Sequence, residues 1–392
     1  SIEFEMAALA GLCDALFFAR RVDEMAGHAR ELLDAADRTG HAGDAVEARG
    51  RLGQVLVCEG RFAEAIPLLD GVIEAARAAG PPVALQLGLT YRGFIHYWQA
   101  EYEAAEAFLE EAATLAANRS AFHFLAARMF VGLSRIKLGR ISEGLEEFLA
   151  AIALARRNGD RYWLPRLVGY MGWAHREILA PERALEFDTE AHRLTQEMGL
   201  PETPNTEALL VLANDAVQLG DLTQASALLA ELEEKTAEGQ WFRWMDELRL
   251  AIVTAERWAA AGEWNRATEA ADRLVGLARR LGARDYRCGA ERVLAQAALA
   301  RGTGIEAAAR RLSEAVEDLR RSTVPLEAWR AGRVLGHLYH RLGNEDGAAA
   351  AFAEAATAVR TIAAGITDAP LLREGFLDAA PVREVLDAAP EA

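Results

Sequence analysis

Cysteine is scarce in this chain: Cys13, Cys58 and Cys288 are odd in number, far apart, and form no CxxC pair. That excludes a disulfide framework and a thiolate zinc site, and is expected of reduced core residues in a cytoplasmic protein. Proline is sparse too, 11 in 392 residues, so long helices are permitted. No run of 18 apolar residues exists to cross a membrane as a helix, and no charged-then-apolar leader precedes the first segment. Overall positive charge is missing: the chain carries −16, which argues against general binding to nucleic acid or to an anionic membrane. Catalytic constellations are missing as well. No Ser/His/Asp or Cys/His set assembles by local spacing. Gly139 to Gly144 imitates half a phosphate loop, but Leu145 and Glu146 follow where Lys and Ser or Thr are required. His337-x-x-His340 sets two imidazoles on one helical face with no Cys or HExxH companion. No enzyme, cofactor or metal is therefore expected.

What is present is self-similarity. Residues 53–72 run as an apolar helical segment around Gly53, a Gly60 stop, then Phe62 and Ala65 opening a second apolar run. That order reads as a helix, a tight turn and an antiparallel helix. Glycine inside a helix costs roughly 1 kcal/mol relative to alanine, so Gly53 is tolerable where another helix comes too close for a Cβ. Ala65, twelve residues on, is the expected complementary surface, and Gly60 suits the left-handed position that ends a helix. The mid-helix small residue returns as Gly93, Gly132, Gly172, Ala213, Ala255, Ala295 and Gly336, at spacings of 39 to 42. The Ala65 column returns as Ala105, Gly144, Ala184, Ala225, Ala267, Ala307 or Ala308, and Ala348. Both columns advance together, which is the signature of a solenoid. With a degenerate first unit around Cys13 and Met25, nine helix pairs are expected.

These residues resemble the tetratricopeptide (TPR) family: a small residue, alanine twelve later, Gly-x-aromatic between them, then Leu69 and Val72. The period here is about 40 rather than the family's usual 34, and Arg49 stands where an aromatic is customary. Longer units of this kind are similar to the sensor arrays of bacterial multidomain signalling proteins, among them signal-transduction ATPase regulators and some nucleotide cyclases. The resemblance implies an all-α, right-handed α-solenoid of about nine antiparallel helix pairs over residues 1–363. Residues 364–392 are expected to form a short helical cap and tail, broken at Pro381.

Along the chain, Gly80-Pro81-Pro82 closes the second pair, Pro67 in the early turns of its second helix is expected to kink that helix slightly rather than end it, and Asn158-Gly159-Asp160 closes the fourth. Pro165 and Pro181 are expected to open the helices of the fifth pair, where a missing N–H costs nothing. Gly199-Leu200-Pro201 and Thr203-Pro204 make the longest connector, a plausible bend. Tryptophans gather in the seventh pair: Trp241, Trp244, Trp258 and Trp264. A chain opening on Ser1 is expected to be a piece of a longer protein.

The resemblance also implies that the first helix of each pair lines a concave groove, with exposed positions one, four and five residues after the small residue. That places Phe94, Tyr97 and Trp98 on the groove, then Leu133, Ile136 and Lys137, then Trp173, Arg176 and Glu177, with Arg166 joining them. Between Arg119 and Glu177 ten basic residues face five acidic ones, a local surplus in an acidic chain. Aromatic walls with scattered cations suit an extended peptide carrying apolar anchors and a carboxylate. The expected role is a non-catalytic protein- or peptide-binding regulatory module. Small-molecule sensing in an enclosed pocket near pairs three to five, and self-assembly through an apolar face, are the alternatives.

Overall fold

The computed structural model describes residues 2–79, 82–199, 202–238 and 242–389. The expected breaks at Gly80-Pro81 and Leu200-Pro201, and Trp241, lie outside these residues. Among the described residues there is no strand, and twenty helices follow one another. The first eighteen form nine antiparallel pairs: α1 (Ile2–Phe18) and α2 (Val22–Thr39), α3 (Ala42–Cys58) and α4 (Phe62–Ala79), α5 (Pro82–Trp98) and α6 (Tyr102–Ala116). Next come α7 (Ala121–Lys137) and α8 (Ile141–Asn158), α9 (Trp163–Glu177) and α10 (Pro181–Met198), α11 (Glu202–Gln218) and α12 (Leu222–Glu238). The last three pairs are α13 (Arg243–Ala260) and α14 (Trp264–Leu281), α15 (Arg284–Arg301) and α16 (Ile305–Leu319), α17 (Pro325–Arg341) and α18 (Glu345–Ala364). Two short helices, α19 (Pro370–Asp378) and α20 (Ala380–Ala388), follow. Fold class is therefore an all-α solenoid of nine helix pairs.

Each pair turns on one backbone device. After the first helix the chain passes through a left-handed residue, and in eight of the nine pairs the next N–H bonds back across six residues, as Arg61 N–H does to Leu56 O at 2.9 Å. Gly60, with φ +74°, takes that conformation at no steric cost. The same geometry holds where glycine is absent: Arg20, Ala100 and Leu179 have φ of 61°, 60° and 59°, and Arg21, Glu101 and Ala180 make the six-residue bond. Packing thus imposes the turn on side chains that disfavour it by about 1–2 kcal/mol.

The glycine column is a close approach: in pair four a Cβ on Gly144, of the Ala65 column, would lie 2.8 Å from Gly132 O, and a second side chain fills the notch of each glycine. A Cβ on Gly53 would lie 2.5 Å from Leu69 Cδ2, on Gly93 2.7 Å from Leu109 Cγ, on Gly132 2.6 Å from Phe148 Cε1, and on Gly336 2.5 Å from Phe352 Cε2. The knob comes sixteen residues later, because one further helical turn carries the second helix back over the glycine. One local correction follows from capping, and Pro67 behaves as expected in not ending its helix. Helix α9 begins at Trp163, not Pro165, because Asp160 Oδ1 accepts from the Tyr162 and Trp163 N–H groups at 3.0 and 2.8 Å. Helix α4 continues through Pro67.

Internal contacts divide the chain into two compact units. Unit 1 comprises Ser1–Phe130 with Glu238–Asp246. Its core includes Met6, Leu32, Ala35 and Ala48, and the buried Arg51 pairs with Asp14 at 2.6 Å and Glu47 at 2.8 Å. Unit 2 comprises Val131–Ala237 with Glu247–Ala392. Its first and last pairs meet: Ser142 N–H donates to Gly365 O, and Thr367 N–H to Ser142 Oγ, both at 2.9 Å. Helices α19 and α20 pack on α17 and α18, with Phe376 against Trp329 and Arg333 bonded to Glu384 at 2.7 Å.

Candidate functional site

The eight candidate groove residues separate between the units. In unit 1, Phe94, Tyr97 and Trp98 are buried rather than exposed. They are covered from within that unit: Trp244 packs edge-on to Trp98 at 5.1 Å and to Phe62 at 4.9 Å, and Phe242 lies 5.4 Å from Phe94. The Trp244 indole N–H donates to Val57 O at 2.9 Å, and Phe130 closes on Phe94 and Tyr97 at 5.0 and 5.1 Å. Phe242 adopts φ +54°, a left-handed conformation that a bulky residue seldom takes. An open aromatic wall was expected here; the structure shows an aromatic cluster filled by the start of α13.

In unit 2, Leu133 and Ile136 are fully buried. Arg176 is buried beneath the surface between Asp188, at 2.7 Å, and Asp215. Arg166 is buried too, its guanidinium flanked by the rings of Tyr162 and Trp163 at 5.1 and 4.9 Å and paired with Glu207 at 2.8 Å. These four are structural at the positions where groove residues were expected. Each sits where neighbouring pairs press together, so its apolar area or charge is consumed in packing.

Lys137 and Trp173 are different, being half-buried, and Lys137 reaches a helix far along the chain. The Lys137 ammonium lies over the Trp173 ring at 5.5 Å and 3.3 Å from Asp285 Oδ2. Burial works against the lysine's charge, but Asp285 and then Glu177 hold its pKa above the ordinary value. Around them stand Glu177, which spacing placed on the groove, and groups that spacing did not reveal. Glu177 accepts from Arg330 at 2.7 Å, Arg249 donates to the Tyr170 hydroxyl at 2.5 Å, and Tyr286 is pushed up to about 12 chiefly by burial. First helices of pairs four, five, seven, eight and nine thus meet in one polar and aromatic surface, positioned by α7, α9, α13, α15 and α17.

The basic surplus of residues 119–177 is largely neutralised in the fold. Arg128 pairs with Glu110, Lys137 with Asp285, Arg166 with Glu207, and Arg176 with Asp188 and Asp215, all acids from outside that segment. His337 and His340 face different carboxylates, Glu384 at 2.5 Å and Glu345 at 2.8 Å. Among the described residues no group of three or more His, Cys, Asp or Glu could hold a metal ion, and no helix is long and apolar enough to cross a membrane. All three thiols are buried, and burial raises their pKa values, which leaves them unreactive.

No protein-family model matches the chain. No curated protein matches it. Among solved structures it is similar to a Rap protein complexed with competence and sporulation factor, at 12% identity over 92% of this chain and 99% of that one, with a TM-score of 0.67. It is also similar to the Rap conjugation gene regulator of plasmid pLS20 in complex with the Phr* peptide, at 12% identity over 93% and 98% of the two chains, with a TM-score of 0.55. The apo form of RapI aligns at 13% identity over 92% and 99%, with a TM-score of 0.50. The likeness is one of fold, a tetratricopeptide-like repeat of helix pairs.

Proposed function

We propose that this chain is a non-catalytic regulatory or scaffold module that binds a protein segment or peptide on the first helices of unit 2. The observation that carries the reading is the meeting of Lys137, Trp173, Glu177, Tyr170 and Tyr286 on one half-buried surface. Aromatic rings there offer area at low entropic cost, and the charged groups offer direction to a ligand with apolar and carboxylate anchors. Two proteins of the same fold were solved with a factor or peptide bound, which agrees with this use of the fold. Of the groove candidates in unit 2, Leu133, Arg166 and Arg176 support the site from beneath, while Lys137 and Trp173 face the ligand.

A second reading, small-molecule sensing, is favoured by one feature: side chains of non-adjacent helices already touch, as Lys137 of α7 and Asp285 of α15 do at 3.3 Å. A narrow mixed surface of this kind also suits a compact ligand. Native mass spectrometry of the chain after incubation with a bacterial extract separates the readings. A peptide-mass adduct lost in Trp173→Ala and kept in Trp258→Ala supports peptide binding. A metabolite-mass adduct with that pattern would replace it with sensing, and no adduct would remove both.

A further inference from the structure

Helix α13 carries two charge clusters of opposite sense on one face. Arg249 and Glu256 are seven residues apart, two helical turns, and so project to the same side about 10 Å apart. At the first, Glu207 accepts from two guanidiniums, Arg166 at 2.9 Å and Arg249 at 2.9 Å. At the second the count is inverted: Arg292 donates to two carboxylates, Glu256 at 2.9 Å and Glu327 at 2.8 Å. One end is richer in cations and the other in anions. Glu256 keeps 30% of its side chain exposed and Arg249 keeps 13%, so both remain within reach of a ligand.

We infer that the ligand is dipolar: an extended segment with an acidic and a basic group about 10 Å apart, the acid at Arg249 and the base at Glu256. The inference rests on the peptide-binding reading above and sharpens its chemistry. A segment in the polyproline-II conformation has three residues per turn and rises about 3.1 Å per residue, so groups three positions apart lie on one face about 9 Å from each other, which matches the spacing on α13. A ligand with only an acid would satisfy the cation-rich end and bring nothing to the anion-rich one. A ligand with two like charges would meet repulsion at one end. Because both clusters are already paired internally, a dipolar ligand adds a third partner to each without stranding a buried charge.

The test is titration calorimetry of the full chain with blocked octapeptides on one Phe/Leu/Ala background. The panel has Glu and Lys three apart in either order, Glu and Lys adjacent, two Glu, two Lys, and no charge. The dipolar peptides with three-residue spacing are expected to bind at least tenfold more tightly than the rest. Glu256→Gln, which leaves Arg292 its Glu327 partner, and Arg249→Gln should each erase that preference; Arg249→Lys should restore part of it. Circular dichroism and an unchanged melting profile establish that the variants fold. Equal affinity across the panel, or a preference indifferent to both substitutions, overturns the dipolar inference and leaves peptide binding standing. Binding by none of the peptides overturns both.

Discussion

Asp188 stands sixteen residues after Gly172, where the other glycines of the column meet Leu69, Leu109, Phe148 and Phe352, and its carboxylate occupies the space a Cβ on Gly172 would need. A fully buried acid thus replaces the apolar knob of one pair. It accepts from Arg176 Nη1 at 2.7 Å, and the same nitrogen bonds Asp215. Two carboxylates share one cation in the packing of α9, α10 and α11. Burial lifts Asp188 well above the ordinary carboxylate range; Arg176 opposes this and Asp215 adds to it. Burial raises Asp215 as well. The pair therefore keeps a proton after exposed carboxylates have lost theirs.

Removing the two sides of this triad should have unequal effects. Arg176→Met leaves two buried acids without their cation and is expected to cost about 3–5 kcal/mol in urea unfolding. Asp188→Asn keeps the shape and removes the like-charge conflict, so at pH 7 it should lie within about 1 kcal/mol of the parent. The folded state binds the pair's proton more tightly than the unfolded state. Its stabilisation is therefore present below the ordinary carboxylate pKa and is lost as pH rises through the raised one. The parent should gain stability relative to Asp188→Asn as pH is lowered from 7 toward about 4. A difference independent of pH would refute the shared proton.

The glycines sort by what surrounds them. Gly71, inside α4, has nothing within 4 Å of the place a Cβ would take, whereas Gly53 has Leu69 Cδ2 at 2.5 Å and Leu69 Cγ at 2.9 Å. Gly71→Ala should stabilise by about 0.5–1 kcal/mol through the unfolded chain. Gly53→Ala must push Leu69 aside and should destabilise by about 1–3 kcal/mol despite the same helix-propensity gain. Thermal melts of the two single variants would settle the ordering, and a stabilising Gly53→Ala would contradict the packing described.

How far this could be read in the sequence depended on the range of each interaction. The glycine and alanine columns, the left-handed stops and the number of pairs are local, repeated every 40 or so residues, and so were legible. The side chain that fills the notch at Gly53, Leu69, was not legible, because spacing fixes which helix approaches and not which side chain lies over the glycine. Phe94, Tyr97 and Trp98 satisfied the groove positions, yet nothing in their own segment signals that Phe242 and Trp244 cover them. The basic stretch looked like a free surface for the same reason: Asp285 lies 148 residues from the Lys137 it neutralises, and Arg330 lies 153 from Glu177. Asp188 carried a usable signal, since an acid where Leu69, Leu109, Phe148 and Phe352 stand in other pairs requires a buried cation.

Acid sensitivity should have a second, separate source of opposite sign. Burial tends to raise Glu177, but Arg330 and then Lys137 overcome it and hold the carboxyl down at about 2, from an ordinary 4.5. A depressed folded pKa stabilises above the unfolded value and is lost as pH falls through the folded one. Stability from this pair should decline between about pH 4.5 and about pH 2. Glu177→Gln is expected to cost about 3 kcal/mol at pH 7, because it strands Arg330, and to flatten acid unfolding in that window. An acid limb as steep as the parent's would show that Glu177 does not report it.

Trp244 tests whether the start of α13 belongs to the core of unit 1. Its indole ring meets Phe62, Phe94 and Trp98, and its N–H donates to the Val57 carbonyl near the end of α3, which also accepts from the Gly60 N–H at 3.0 Å. Trp244→Phe keeps most of the packing and loses the donor, and should cost about 1 kcal/mol. Trp244→Ala removes both and should cost about 3–5 kcal/mol. The edge-on pair of Trp98 and Trp244, 5.1 Å apart at 86°, should also give a near-ultraviolet circular dichroism band that both substitutions abolish. Comparing the two variants matters more than either alone. If Phe costs as much as Ala, the hydrogen bond dominates and the ring packing is incidental; if neither costs more than about 0.5 kcal/mol, the segment is not part of that core.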